Sequence, residues 1–199
     1  LSDERLPAAR ESPATRTSRG GFELSARAWA GTIVTPTSAQ RAAAARRTGY
    51  GRAVWPGRLE LVRAGGHDVV LDGAHNPAGA RALASAIQDE FHFASLVAIV
   101  SVLSDKDAVG ILEALEPVVD HVVVTENSSP RAMPLDDLAE LALRVMGQER
   151  VNQAQTMPDA IDVAVGLSDR TFGRSGAGVL VTGSVVSAGD ARRLLKGTS

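Results

Sequence analysis

The sequence predicts an α/β domain with a doubly wound, mostly parallel sheet and a β-hairpin at its N-terminal edge. Three observations carry this. Residues 94–103 are a continuous apolar run, the pattern of a strand buried on both faces, and 118–125 read as a further strand. Between such runs lie amphipathic stretches of helical spacing, long enough to form right-handed crossovers. Residues 58–63 alternate apolar and charged side chains and meet a Gly65-Gly66 turn, which marks a half-buried strand entering a hairpin. Together they describe a Rossmann-like domain over residues 55–196.

The hairpin's second arm is residues 68–71. Pro77 stands where the first turn of a helix tolerates proline, and that helix extends to about residue 91 with Ala80, Leu83, Ala84 and Ile87 on one face. The 94–103 strand follows, then a helix over 107–115 stopped by Pro117, and the 118–125 strand. A helix over 135–146 is closed by Gly147, and 151–153 is a short strand. A helix over 158–167 begins near Thr156 or Met157, 178–182 is the last strand, and 185–195 the last helix.

Residues 1–50 differ. Arg5, Arg10, Arg16, Arg19, Arg27, Arg41, Arg46 and Arg47 stand among Ser, Thr and Pro. Only 22–29 and 31–35 resemble strands, and 38–47 a helix with Ser38 as its cap. Such composition predicts a poorly ordered tail or linker, so the expected division is 1–50 as tail and 51–199 as the folded domain.

Composition narrows the function classes. The chain has 199 residues, is 44% hydrophobic and carries a net charge of −2, which supplies a core but no electrostatic case for nucleic acid or an acidic membrane surface. There is no cysteine, so disulfides, thiolate chemistry and cysteine-held metals are excluded. No apolar run reaches the roughly 20 residues of a membrane span, and no signal-peptide pattern is visible. A soluble, cytoplasmic protein is expected. The first residue is Leu, which suggests a piece of a longer chain.

In an open α/β sheet, ligands gather at the carboxyl ends of the strands. The first polar cluster there is Asp72, His75 and Asn76. A carboxylate in that place can accept ribose hydroxyls; an imidazole and an amide at a helix N-terminus can hold a carboxylate or phosphate oxygen. The plainer alternative is Asp and Asn as helix caps beside a surface His. The second cluster is Ser104-Asp-Lys-Asp107, where Lys106 suits a substrate carboxylate, or Asp105 caps the next helix. The third, residues 125–131, offers Arg131 on a polar loop. The fourth is Thr182-Gly-Ser184, whose backbone amides and hydroxyl suit an anion or serve ordinary packing. Arg58, in Trp55-Pro-Gly-Arg58, could reach a phosphate, or lie on the surface beside a buried Trp. There is no G-x-x-x-x-G-K-[ST] loop, no G-x-G-x-x-G after the first strand and no G-x-S-x-G elbow, and the four histidines lack metal-ligand spacing. Asp72→Ala is expected to disturb ligand binding more than stability.

Trp55-Pro-Gly-Arg-Leu-Glu60, Leu71-Asp-Gly-Ala-His-Asn-Pro-Ala-Gly79, Ser104-Asp-Lys-Asp107 and Thr182-Gly-Ser184, in this order, resemble the C-terminal domain of bifunctional folylpolyglutamate synthase/dihydrofolate synthase, in the Mur ligase superfamily. The resemblance covers about residues 50–196. It implies ATP-dependent amide formation: ATP phosphorylates a pteroate or folyl carboxylate, and the amine of L-glutamate displaces phosphate from the acyl phosphate. It also implies Arg58 at the ATP phosphates, Asp72 at the ribose, and His75, Asn76, Lys106 and Ser184 at the glutamate or acyl-phosphate end, with His75 and Lys106 catalytic. Mg²⁺ would accompany ATP, its ligands belonging to the family's N-terminal ATPase domain and none to these residues. The phosphate loop belongs there too, so this chain alone is expected to be an inactive monomer. Two rival readings are a stand-alone nucleotide- or anion-binding module and the C-terminal domain of a Mur peptidoglycan ligase.

Overall fold

The computed structural model describes residues 56–172 and 176–197. The tail expected over 1–50, its strand-like and helical segments, and Trp55 lie outside the described residues. The order is β1 (Glu60–Ala64), β2 (His67–Leu71), α1 (Pro77–Glu90), β3 (Ser95–Val100), α2 (Ala108–Leu115), β4 (His121–Val124), α3 (Leu135–Met146), β5 (Val151–Gln153), α4 (Met157–Phe172), β6 (Ala177–Thr182) and α5 (Val185–Lys196).

These strands form one six-stranded sheet ordered β1-β2-β6-β3-β4-β5. β1 and β2 pair antiparallel as the hairpin, and every other neighbouring pair is parallel. The apolar runs explain the burial: β3 and β6 are buried at every position. Alternate residues of one strand feed opposite cores. Ala98 and Val100 pack with α1, α2 and α3, whereas Val97 and Ile99 pack with α4 and α5. Because β6 lies between β2 and β3 but leads to a helix on the other face, the chain exits on either side of β6 diverge. That divergence is the topological switch point, the place at the strand carboxyl ends where open α/β sheets generally bind ligands.

Several boundaries differ from expectation. β3 stops at Val100 although apolar residues continue to Leu103. There the chain leaves the ladder: Val102 O accepts from Met133 N at 2.9 Å, and Leu103 forms an isolated antiparallel bridge with Ala132. β4 starts at His121, because residues 116–118 around Pro117 make a 3-10 turn and the Asp120 side chain instead accepts from Leu96 N at 2.8 Å. α4 runs past residue 167 to Phe172, since its buried face continues from Ala164 to Ser168, whose hydroxyl donates to the Ala164 carbonyl at 3.0 Å. Among the described residues no helix is long and apolar enough to cross a membrane.

Candidate functional site

All four polar clusters found in the sequence lie at the carboxyl edge of the parallel strands, and backbone hydrogen bonds join their loops. Asp72 N donates to Val181 O at 3.0 Å, Gly183 N to Ala74 O at 3.0 Å, Ser101 N to Thr182 O at 3.3 Å and Ser104 N to Arg131 O at 2.9 Å. A Cβ at Gly183 would lie 2.7 Å from the Ser101 carbonyl, and its φ of 95° is a left-handed conformation, so only glycine lets these strand exits meet. A Cβ at Gly110 would lie 2.6 Å from Asp107 Oδ2 and 2.7 Å from Pro77 Cγ, so the first turns of α1 and α2 sit side by side. The exits therefore bring the N-termini of α1, α2 and α5 to one edge, where their partial positive charge favours anions.

Asn76 is the N-cap of α1, its Oδ1 accepting from Gly79 N at 2.8 Å, and remains exposed. Asp107 caps α2 through Gly110 N at 2.9 Å, so the expectation that Asp105 might do so is corrected. Asp105 instead pairs with Lys106 at 3.0 Å and lies 4.0 Å from Arg131. The bond and charge of Lys106, with help from Arg131, hold the Asp105 carboxyl below its ordinary value. The Ser184 hydroxyl is the N-cap of α5, accepting from Val186 N at 3.0 Å while buried, and keeps its own proton to donate.

His75 is exposed, with Nδ1 2.9 Å from the Gly73 carbonyl. A carbonyl only accepts, so Nδ1 carries the proton and, in the neutral ring, Nε2 keeps its lone pair free to accept a proton.

Asp72 is only 8% exposed, and both its oxygens are engaged: Oδ2 accepts from Leu59 N at 2.9 Å and Oδ1 from Ala74 N at 2.8 Å. It is not a helix cap. Burial pushes its carboxyl above the ordinary value, against the pull of the two amides and the Arg58 charge. Asp72 thus ties the turn carrying Arg58 to the β2–α1 turn, which revises the expectation for Asp72→Ala: its loss removes structural bonds as well as a ligand contact. Arg58 itself is exposed on that turn.

Ser101, Thr125 and Thr182 end three adjacent strands with buried hydroxyls that have no hydrogen-bond partner among the described residues. Among the described residues no group of three His, Asp or Glu side chains could hold a metal ion.

The sequence and the fold are both matched by known proteins. Residues 57–185 fit the family described as Mur ligase, glutamate ligase domain. The chain belongs to this family. The dihydrofolate synthase/folylpolyglutamate synthase of Mycobacterium tuberculosis is 49% identical over 158 residues, covering 74% of this chain and 32% of that protein. The chain thus spans about a third of the length of that curated relative. The solved structure of Mycobacterium tuberculosis folylpolyglutamate synthase complexed with ADP superposes with TM-score 0.70 at 47% identity, over 78% of this chain and 35% of that one. A bifunctional folylpolyglutamate synthase/dihydrofolate synthase with Mn, AMPPNP and L-glutamate bound superposes with TM-score 0.58 at 28% identity, over 74% of this chain and 34% of that one.

Sequence reasoning missed two features of this glutamate ligase domain's edge. Glu60 is buried and accepts from Gly57 N at 2.8 Å, with Arg192 and Lys196 of α5 also bonded to it. Burial alone would raise its carboxyl, but the bonds from Lys196, Gly57 and Arg192 outweigh that and hold it below the ordinary value. Asp190, also buried, accepts from both the backbone and the hydroxyl of Ser128 at 2.8 Å and pairs with Arg193, anchoring the 125–131 loop. The visible signal for Asp190 is an acidic residue on the buried face of a helix, among Ala188, Ala191 and Leu195. For Glu60 the partner lies too far along the chain to be read.

Proposed function

We propose that this chain is the C-terminal domain, over residues 51–199, of an ATP-dependent ligase that joins L-glutamate to dihydropteroate or a folate. The single observation that supports this best is the gathering of Asp72, His75, Lys106 and Ser184 at one sheet edge, beside the N-termini of α1, α2 and α5, in a chain 49% identical to a dihydrofolate synthase/folylpolyglutamate synthase. In this reading Arg58 meets the ATP phosphates and Asp72 the ribose. Lys106 neutralises a glutamate carboxylate, Asn76 and the Ser184 hydroxyl help to orient it, and Nε2 of His75 takes one proton from the glutamate ammonium to free its lone pair. The amine then attacks the carbonyl carbon of the acyl phosphate, the C–N bond forms, the C–O bond to the phosphate breaks, and inorganic phosphate leaves with the second proton of the nitrogen. Helix N-termini and Lys106 stabilise the negative charge that develops, the largest usual term in such a site.

The nucleotide, metal and glutamate named for the relatives come to this chain as ATP, Mg²⁺ and L-glutamate, with the metal's ligands and the phosphate loop supplied by an ATPase domain; the sequence has no G-x-x-x-x-G-K-[ST] loop. The chain by itself is therefore expected to be inactive. The same proposal carries a cytoplasmic, monomeric enzyme without a nucleic-acid partner.

A hybrid tests it. Residues 57–197 replace the corresponding C-terminal third of the Mycobacterium tuberculosis relative, and glutamate incorporation into dihydropteroate and tetrahydrofolate is measured. Activity is expected in the hybrid and is expected to fall by roughly 10²–10³ in its His75→Ala and Lys106→Ala forms, the size seen when one charge-stabilising group is removed. An active hybrid indifferent to both substitutions would sink the residue roles. Ligation of an amino acid to a peptidoglycan precursor in place of a pterin would replace the substrate class.

A further inference from the structure

We propose that Glu60 is a positioning residue for Arg58, held in that role by Arg192 and Lys196 at the end of α5. The inference rests on the reading of Arg58 as a contact to nucleotide phosphates.

Arg58 sits at the centre of a tight turn. Gly57 has φ 72°, and Leu59, a residue with a side chain, has φ 47°. The second value lies in the left-handed region that L-residues adopt reluctantly, so the turn needs outside bonds to persist. Two buried carboxylates provide them, one for each amide flanking Arg58. Glu60 Oε2 accepts from Gly57 N at 2.8 Å, and Asp72 Oδ2 accepts from Leu59 N at 2.9 Å. The Gly57 carbonyl closes the clamp by accepting from Gly73 N at 2.7 Å. Arg58 is exposed, so its reach is set by the backbone that carries it.

The two carboxylates are balanced differently. Asp72 finds its second donor two residues away, at Ala74 N. Glu60 depends on α5: Arg192 Nε lies 3.1 Å from Oε2, and Lys196 Nζ bonds Oε1. The Glu60 side chain is 7% exposed and that of Lys196 14%, so this is a largely dehydrated ion pair, strong when intact and costly when one partner is removed. A hairpin glutamate needed only for the hairpin would not require a partner from the last turn of another helix. α5 begins at Ser184 on the site edge and ends at Lys196 on Glu60. One helix therefore registers the Arg58 turn against the strand exit that carries Ser184.

The experiment uses the full 199-residue chain, with Glu60→Gln, Lys196→Met, Lys196→Arg and Arg58→Ala. Two quantities are read by NMR: hydrogen exchange at the Gly57 and Leu59 amides, and the response of the Arg58 side-chain N–H to ADP, which registers even weak binding. In Glu60→Gln and Lys196→Met, exchange at Gly57 should quicken about tenfold or more while β3 amides keep their protection, as for a local opening. The Arg58 response should weaken several-fold in the same two variants, and Lys196→Arg should restore both. Wild-type exchange in both variants overturns the inference. Faster exchange with an unchanged ADP response also overturns it, leaving Glu60 a merely structural ion pair. If the wild-type chain's Arg58 signal is no more sensitive to ADP than other exposed arginines, the nucleotide reading itself has failed, and this inference with it.

Discussion

Two loops at the same sheet edge present a cation in opposite ways. On the 57–59 turn the backbone is gripped by Glu60 and Asp72, and the Arg58 side chain is left exposed. On the 104–107 loop the side chain is held: Lys106 pairs with its neighbour Asp105 at 3.0 Å, and both are partly in water. The carboxylates report the difference. Asp72 is buried and its carboxyl is pushed up, whereas solvent-exposed Asp105 is held down by Lys106. Burial makes the first carboxylate part of the fold; exposure leaves the second to tune a side chain. Substitutions near Arg58 should therefore register as stability, and substitutions near Lys106 as activity.

The largest effects should fall on the exposed side. In the hybrid ligase, Lys106→Ala and His75→Ala should lose about 10²–10³ in turnover, yet each should change unfolding free energy by no more than about 0.5 kcal/mol, as surface substitutions do. Denaturant unfolding beside the ligation assay separates the two; a large stability loss would show that these side chains hold the edge together. Next comes Gly183→Ala, which must push a Cβ against the Ser101 carbonyl from a left-handed backbone. It should destabilise by about 2–3 kcal/mol, the combined scale of overpacking and backbone strain. A near-neutral midpoint would mean the strand exits can part.

On the buried side, Asp72→Ala removes the acceptor for the Leu59 and Ala74 amides and should cost about 1–3 kcal/mol. The acid response should also divide the two buried carboxylates. Asp72 titrates above its ordinary 3.8 in the folded chain, so its charged form subtracts stability at neutral pH, and that penalty fades as pH falls from its raised value toward 3.8. Glu60 titrates below its ordinary 4.5, so its contribution is present above 4.5 and is lost as pH falls through its lowered value. Relative to wild type, Asp72→Asn should therefore look progressively worse on acidification, and Glu60→Gln progressively better. Parallel curves would refute the opposite environments.

How much of this was legible in the chain follows the same division. The alternation of apolar runs with amphipathic helices, and the rule that ligands meet strand carboxyl ends, located the edge and its four clusters. α3 and β5 fall where spacing placed them, over Leu135–Met146 and Val151–Gln153. β3 ends sooner than its hydrophobicity suggests, because apolar residues continue to Leu103 after the ladder bonds have ended. α4 continues further than its polar end suggests, because Ser168 is still buried beside Asp169 and Arg170. At the site, local partners such as Asn76 with Gly79 could be read from spacing. The role of Glu60 could not, because its partner Lys196 lies 136 residues away and only the fold brings them together.

The smallest expected effect is at the two helix caps between these loops. Asn76 and Asp107 each accept one amide of the first turn, from Gly79 and Gly110. Replacing either by Ala should cost about 1 kcal/mol, the usual worth of a side-chain cap. Asn76 is also proposed to touch the substrate, whereas Asp107 is not. In the hybrid, Asn76→Ala should raise KM for glutamate beyond anything Asp107→Ala produces at the same loss of stability. Equal kinetic effects from the two would reduce Asn76 to a cap. A rise confined to Asn76→Ala would extend the exposed, activity-bearing half of the edge from Lys106 and His75 onto the first turn of α1.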